Sequence, residues 1–147
     1  MELPEKLQKV VDRFAGAPRE LKGQALLRYA NQLPPVPPEY AEDRERMLQV
    51  HECQSPFFLA TEVDEEGGVH LFFDSPPETP TVRGFAGILR EGLEGEHFSV
   101  VLGVPTTFYT DMGLEEVVSP LRLRGMQAIL AAVRKSVGRQ VEEAGMA

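Results

Sequence analysis

The segment FFLATEVDEEGGVHLFF, residues 57–73, decides the fold. It begins with a mostly apolar run, and at its other end Val69, Leu71 and Phe73 alternate with two further side chains. An alternation with a period of two residues is typical of a half-buried strand. Between the two runs, Asp64-Glu65-Glu66-Gly67-Gly68 is rich in residues that favour turns. The sequence therefore predicts an antiparallel β-hairpin.

Helical periodicity flanks this hairpin on both sides. Apolar residues spaced by three and four predict one helix over residues 3–15 and a second from Pro18 to Leu33. Further along, Thr79-Pro80 and Ser119-Pro120 each combine a capping residue with a proline suited to the first helical turn, so they predict two more helix starts. Helices that precede and follow an uninterrupted group of strands indicate an α+β domain.

Two other segments are less regular. The prolines in Pro34-Pro35-Val36-Pro37-Pro38 predict an extended stretch, which we interpret as a stiff connector rather than a PxxP ligand. The short apolar run from His97 to Val104, closed by Pro105, is a candidate strand, although its pattern does not distinguish a strand from a helix. The expected architecture is an antiparallel sheet of about three strands packed against helices.

Length and composition indicate one globular domain. The 147 residues, 42% hydrophobic and 26% charged, suit a single domain over residues 1–147. No apolar run approaches the roughly 20 residues that cross a bilayer, so we expect no membrane span. The first residues, MELPEKLQKVVDRF, have neither the basic region nor the cleavage site of a secretory signal, which predicts a cytoplasmic protein.

The acidic balance disfavours nucleic acid as a partner. A formal net charge of -8 repels a polyanion unless a basic patch compensates. One cluster comes close, near the C-terminus, but on a helix its members scatter around the axis and no aromatic side chains stand between them to stack bases. We interpret it as structural; its members are Arg122, Arg124, Arg134, Lys135 and Arg139.

The usual cofactor and hydrolase motifs are missing. The sequence has no phosphate-binding loop, dinucleotide-binding turn, nucleophile elbow or zinc-protease helix motif. Its histidines, His51, His70 and His97, are isolated from one another, and His70 is predicted to face solvent because it alternates with the apolar side of a strand. The single cysteine excludes an internal disulfide and a thiolate zinc site. We predict neither a metal nor a cofactor.

Cys53 is the remaining candidate for chemistry. It lies in the polar loop His51-Glu52-Cys53-Gln54-Ser55-Pro56, where the chain enters the first strand of the hairpin. Loop ends often present functional side chains, and a nearby cation such as Arg122 or His51 would raise the thiolate fraction of the cysteine. Glu52 would lower it. A lone cysteine is also often an inert buried side chain, and both interpretations stay open at this point.

Four short motifs add a resemblance that covers most of the chain. They are Leu26-Leu27-Arg28-Tyr29-Ala30 with Leu33-Pro34; Val50-His51-Glu52-Cys53-Gln54-Ser55; Val82-Arg83-Gly84-Phe85; and Gly113-Leu114 leading to Ser119-Pro120-Leu121-Arg122-Leu123-Arg124-Gly125-Met126. In this order they resemble the SufE-type sulfur acceptors, which activate cysteine desulfurases in iron–sulfur (Fe–S) cluster assembly. By this resemblance, the acceptor cysteine falls on Cys53 and the arginine of the S-P-x-R motif on Arg122.

Three positions depart from the family pattern. Glu52 stands where the family usually has glycine, and Phe58 stands where it usually has tryptophan. The segment of residues 74–80 is two residues longer than its family counterpart. These differences lie around the loop of Cys53, so they bear on its conformation and on the choice of partner.

The resemblance implies both a fold and an activity. The fold is an α+β domain similar to the IscU-type scaffold proteins, with Cys53 on an exposed loop whose side chain tucks against an apolar pocket. The activity is to take persulfide sulfur from a pyridoxal-phosphate-dependent, SufS-like cysteine desulfurase onto Cys53, to stimulate that desulfurase, and to pass the sulfur to a SufBCD-like scaffold. Such an accessory protein needs no cofactor of its own.

Two other classes of function stay open on the sequence. One is a non-catalytic interaction or scaffold domain in sulfur metabolism, whose cysteine is incidental. The other is a stand-alone cysteine enzyme in which His51 or His97 serves Cys53 as the base, although no motif fixes a histidine or an oxyanion hole beside the thiol.

Overall fold

The chain folds as an antiparallel sheet covered by helices. The computed structural model describes residues 3–53, 56–76 and 78–146. Three short 3-10 turns, at Arg44–Arg46, Phe108–Met112 and Leu114–Glu116, connect the longer elements. In chain order the helices and strands are α1 (Glu5–Ala15), α2 (Arg19–Gln32), α3 (Pro38–Ala41), β1 (Leu48–Gln49), β2 (Phe58–Val63), β3 (Val69–Asp74), α4 (Pro80–Leu93), α5 (Phe98–Gly103) and α6 (Pro120–Glu143).

The predicted hairpin is confirmed. Strands β2 and β3 pair antiparallel with Leu59 opposite Phe73, and both of these side chains are buried. Gly67 adopts a φ of 88° in the turn, which is a conformation that favours glycine. The Asp64 carboxylate accepts a hydrogen bond of 2.8 Å from the backbone N–H of Gly68, so the turn residues close the hairpin in the predicted register.

The third strand is not where the sequence suggested. It is β1, Leu48–Gln49, which pairs antiparallel with β2 and gives the sheet order β1-β2-β3. The candidate run from His97 to Val104 contains helix α5, Phe98–Gly103, instead. The His97 ring accepts a hydrogen bond of 3.2 Å from the backbone of Ser99 and so caps this helix. A short apolar run fits either a strand or a helix, and here the cap and the burial of Val101 favour the helix.

Helix α4 lies at the centre of the core, and its glycines set how closely other helices approach. A Cβ atom added at Gly84 would lie 2.5 Å from the carbonyl oxygen of Leu26 in α2, and one at Gly87 would lie 2.6 Å from that of Tyr29. Such distances are shorter than van der Waals contact, so only glycine lets the α2 backbone lie this close. Helix α1 approaches the same helix at Gly92, beside Leu7.

The predicted helix starts are confirmed in position, but only one of the two predicted caps forms. The Ser119 hydroxyl accepts a hydrogen bond of 3.4 Å from the backbone of Arg122 at the start of α6. Thr79 makes no such cap on α4, because its hydroxyl donates to the carbonyl oxygen of Pro76 at 2.7 Å. The proline-rich segment is non-helical up to Pro37, after which α3 begins at Pro38.

Helix α6 closes the core on the side that carries the cysteine loop. Its predicted apolar stripe is buried, and it packs against β2, α4 and α5. The buried members of the stripe are Met126, Ile129, Leu130, Val133 and Val137. Among the described residues, no helix combines the length and the apolarity that a bilayer span requires.

Candidate functional site

The loop of Cys53 connects β1 to β2. Its base is held by two backbone hydrogen bonds, in which Val50 donates to Phe57 at 2.9 Å and Cys53 donates to Val50 at 3.3 Å. The Cys53 side chain is only 9% exposed and therefore turns inward from this surface loop. Gln54 and Ser55, which belong to the predicted loop motif, lie outside the described residues.

The thiol faces the backbone of helix α6. The Sγ of Cys53 donates a weak hydrogen bond to the carbonyl oxygen of Gly125 over 3.9 Å. A Cβ atom at Gly125 would lie 3.5 Å from that Sγ and 3.8 Å from the Cα of Cys53, which is ordinary van der Waals contact. Glycine at position 125 thus leaves an open space of about one methyl group directly beside the sulfur.

A cavity of about 150 Å³ extends this space. It is formed where the cysteine loop, the start of α4 and the start of α6 meet, and both apolar and polar side chains line it. A water molecule occupies about 30 Å³ in the liquid, so the cavity has room for several atoms next to the thiol. Its lining residues are Glu52, Cys53, Thr79, Val82, Leu121, Arg122 and Gly125.

The resting thiol is protonated at neutral pH. Burial raises the pKa of Cys53 to about 11, and the negative charge of Glu52 adds to this effect. Neither Arg122 nor His51, the cations predicted to favour the thiolate, lowers the pKa of Cys53 in this conformation. In this conformation little of the thiol is therefore present as the reactive thiolate.

The predicted site residues separate into two groups. Arg122 lines the cavity together with Cys53, and its side chain is exposed at the start of α6. His51 is exposed on the loop but does not line the cavity. His97 caps α5 beside the hairpin turn, where its ring contacts Phe98 at a centroid distance of 4.2 Å. Neither histidine is placed as a base for Cys53 in this conformation.

Three of the cavity residues were not singled out as site residues from the sequence. Thr79 is predicted only as a helix cap, whereas Val82 and Leu121 stand in two of the four motifs with the character of ordinary apolar positions. Arg83, within one of the four motifs, holds the adjacent segment by donating to the carbonyl oxygens of Ser75 at 2.6 Å and Ala30 at 3.4 Å. The proximity of these groups depends on tertiary contacts between α4 and the loop, which spacing alone does not show.

His70 takes part in a different cluster. Its ring nitrogens lie 2.6 Å from a carboxylate oxygen of Glu94 and 2.9 Å from one of Asp64. These hydrogen bonds raise the pKa of His70, with the bond to Asp64 as the largest cause. The sequence predicts that this histidine faces solvent. In the structure it is partly exposed, and it links the hairpin to the end of α4.

Among the described residues, no group of three or more acidic, histidine or cysteine side chains is arranged to hold a metal ion.

Comparison with known protein families gives a match that covers most of the chain. The family model for SufE, described as an Fe–S metabolism associated domain, matches residues 8–137. This range includes Cys53, Arg122 and every other residue that lines the cavity. The whole candidate site thus lies inside the matched region.

Individual relatives agree with the family model. Uncharacterized SufE-like proteins from two strains of Mycobacterium tuberculosis are each 45% identical over 133 residues, which is 90% of this chain and 92% of theirs. The chloroplastic/mitochondrial SufE-like protein 1 of Arabidopsis thaliana is 27% identical over 91% of this chain, but that stretch is only 35% of its own length. The solution structure of a hypothetical protein from Thermus thermophilus superimposes with a TM-score of 0.85 at 45% identity, covering 96% of this chain and 99% of that one.

Proposed function

Because the chain belongs to the SufE family, whose domain is associated with Fe–S metabolism, we propose that it accepts sulfur on Cys53 from a pyridoxal-phosphate-dependent cysteine desulfurase. It then carries that sulfur to Fe–S cluster assembly. The observation that carries this proposal is the position of Cys53, whose Sγ borders a cavity large enough for an additional sulfur atom. An inert core cysteine would be surrounded by close-packed side chains instead.

The transfer step is a thiol exchange. The Cys53 thiolate attacks the outer sulfur of a cysteine persulfide on the desulfurase. A new S–S bond to Cys53 forms while the S–S bond on the donor breaks, and the donor cysteine leaves as a thiolate. The proton that Cys53 loses to solvent is matched by the one that the donor thiolate takes up. The step therefore requires neither an external oxidant nor a reductant.

Because Cys53 is buried, the proposed reaction requires two positions of its loop, a closed one that shields the sulfur and an open one in which transfer takes place. In the closed position the thiol is protonated and shielded, because burial raises its pKa to about 11. To meet the donor, the loop has to move away from Gly125 and expose the sulfur. Exposure removes burial, which is the main cause of the raised pKa of Cys53. The reactive thiolate therefore forms when the loop is open and the sulfur can reach the partner. When the loop closes again, the cavity shields the new persulfide from oxidants and small thiols.

Arg122 and Glu52 act on the charge at the mouth of this cavity. An anionic persulfide on Cys53 is attracted by the guanidinium of Arg122 and repelled by the carboxylate of Glu52. In our proposal Arg122 holds the loaded loop closed, and Glu52 favours release to the next acceptor. His51 is exposed beside the cysteine, so in the open position it is the nearest candidate to support the thiolate.

The partners follow from this chemistry. A SufS-like desulfurase supplies the persulfide, and removal of sulfur from its cysteine by this protein stimulates its turnover. A SufBCD-like scaffold receives the sulfur. Both steps use only the Cys53 thiol of this chain, so we propose no cofactor for it. We place the pathway in the cytoplasm.

The rate at which the desulfurase forms alanine from cysteine tests this proposal. We expect wild-type protein to raise that rate in the presence of a reductant that unloads Cys53, and Cys53→Ser to leave it unchanged, because an oxygen cannot hold the transferable sulfur. Equal stimulation by Cys53→Ser would refute sulfur carriage and favour an interaction role. Turnover of a small acyl substrate by this protein without any desulfurase would instead point to a stand-alone cysteine enzyme.

A further inference from the structure

A second cavity lies on the other side of the cysteine loop, between β1 and α6. It has a volume of about 530 Å³ and is open to solvent along its length. Its floor is apolar, since Val50 is buried in the main core there and alanines of α6 face it. Leu48 borders it with 43% of its surface exposed. We call this cavity the β1–α6 groove.

The rim of the β1–α6 groove is basic on its α6 side. Lys135 and Arg139 are four residues apart and therefore lie on the same face of the helix. Neither forms an ion pair with any residue that the structure describes. On the opposite wall, Arg46 lies 3.7 Å from the carboxylate of Glu39, with both side chains exposed.

This local charge contrasts with the rest of the chain. The net charge is -8, yet both charged side chains on the α6 wall of the groove, Lys135 and Arg139, are positive. Glu45 and Glu52 stand on the loop wall, so the groove has a basic side and a mixed side. Of the basic residues near the C-terminus, Arg134 borders a different cavity. The basic cluster thus scatters around the helix as the sequence indicated, but two of its members converge on this groove.

Among the residues that the structure describes, β1 is an edge strand of the sheet, and its free edge adds unpaired backbone to the groove. Val50 donates to Phe57 and Leu48 stands opposite Leu59, so in the alternation of an antiparallel pair the backbone groups of Gln49 point away from β2. An edge of this kind offers hydrogen bonds to an added extended segment. With an apolar floor, a basic rim and an open edge, the groove has the features of a peptide-docking surface.

The groove is accessible to a partner in the conformation in which Cys53 is buried. Glu52 lines both the groove and the smaller cavity that holds the thiol, so the two sites share one wall. The sulfur donor meets the unloaded protein, in which Cys53 is tucked against Gly125 and offers little surface. A donor therefore has to make its first contact on a surface that is open in this state.

From these observations, we propose that the β1–α6 groove docks an acidic, extended segment of the desulfurase that donates sulfur to Cys53. This inference rests on the proposed function. Lys135 and Arg139 would pair with acidic side chains of that segment, while its apolar residues would cover Leu48. Binding beside Glu52 would bring the donor next to the loop that has to open.

Charge reversal on α6 tests the inference. The probe is the cysteine desulfurase of the source organism, and its dissociation constant is measured by titration calorimetry at two salt concentrations. We expect Lys135→Glu with Arg139→Glu to weaken binding about tenfold or more at low salt, and to reduce the salt dependence. Both side chains are exposed, so circular dichroism should show an unchanged fold. The milder Lys135→Gln with Arg139→Gln should weaken binding less, in the same direction.

Matched controls separate this inference from the proposed function. Arg19→Glu with Arg28→Glu changes the net charge equally on α2 and should leave the affinity within about twofold of wild type, the range of effects expected for distant exposed charges. Wild-type affinity of the α6 variant would overturn the groove proposal, and sulfur transfer to Cys53 in wild type would show that the proposed function still stands. An equal loss in both variants would overturn the groove proposal as well, since it would assign the effect to overall charge.

Discussion

The Sγ of Cys53 lies 3.9 Å from the carbonyl oxygen of Gly125, so the only thiol of the chain rests against a residue of α6 that follows it by 72 positions. This contact explains why the thiol is buried although its loop is on the surface. It also places the open space beside a glycine, where a second sulfur atom can be accommodated. Reactivity in the proposed function therefore depends on how this contact opens and closes.

Gly125→Ala should weaken retention of the transferred sulfur without unfolding the protein. The added methyl group would lie 3.5 Å from the Sγ, which the fold tolerates, but it would fill the space beside the sulfur. We expect the persulfide of the variant to be lost to a small thiol faster than that of wild type, because the closed loop no longer has room to shield the second sulfur atom. Replacing glycine inside α6 should itself add roughly 0.5–1 kcal/mol of stability. Quenched-flow mass spectrometry and thermal unfolding measure the two effects.

Gly138→Ala is the control for this prediction. Gly138 lies in the same helix, and a Cβ atom there would meet only Leu102, at 3.8 Å. It should gain similar stability and retain the transferred sulfur as long as wild type does. An equally shortened persulfide lifetime in both variants would show that helix stiffness, rather than space beside the thiol, controls retention.

Arg122→Ala should weaken retention of the transferred sulfur. Its guanidinium lines the cavity, and an exposed charge contact of this kind contributes roughly 1 kcal/mol, or about fivefold in rate. We expect faster loss of persulfide to a small thiol and an unchanged melting temperature. Arg124→Ala, two residues further along α6 and outside the cavity lining, should behave as wild type. Wild-type persulfide lifetime in the Arg122 variant would assign that residue to structure alone.

Glu52→Gln should lower the pKa of Cys53 from about 11. The carboxylate repels the thiolate, so its neutral counterpart makes ionisation easier. Burial is the larger cause and remains, which keeps the pKa above that of a free cysteine. Ultraviolet titration of the thiolate measures the shift, with the exposed Glu65→Gln of the hairpin turn as a control. A pKa that stays at the wild-type value would show that Glu52 does not act on the thiol.

His70→Gln should cost more stability in mild acid than above neutrality. The raised pKa of His70 means that its protonated form is favoured by folding, so this stability is complete below the unfolded pKa near ~6.5 and is lost as pH rises through the folded value. The lowered pKa of Asp64 limits the effect at the acid end, below about pH 4. We expect the difference in melting temperature between wild type and variant to be larger at pH 5 than at pH 8.

The exposed His51→Gln provides the comparison, because among the described residues it has no carboxylate partner within ion-pair distance. It should show the same difference from wild type at both pH values. A difference for His70→Gln that grows with pH would contradict the assigned role of the cluster.

The hairpin and the long helices were predictable because apolar residues recur along each of them with the period of a strand or of a helix. Residues 57–73 alternate around a glycine turn, and α6 begins at a serine cap followed by proline. In contrast, β1 contains only Leu48–Gln49, both exposed, so it has no burial pattern of its own and depends on pairing with β2. The run that became α5 is too short for its period to decide between strand and helix.

For the candidate site, the sequence singles out Cys53 but not the groups that surround it in the structure. Cys53 and Arg122 stand in recognisable motifs, and the structure places both at one cavity. The burial of the thiol was not evident from a polar loop sequence, because it results from contact with Gly125 in a distant helix. For the same reason, the convergence of Lys135 and Arg139 on an open sheet edge required the tertiary structure.

The most direct test of the central claim is the intact mass of the purified protein after incubation with a cysteine desulfurase and cysteine. The account predicts that wild type gains the mass of one sulfur atom, that the gain disappears on reduction, and that Cys53→Ser gains nothing. The same gain on Cys53→Ser, or no gain on wild type while the desulfurase turns over, would contradict the assignment of Cys53 as the sulfur acceptor.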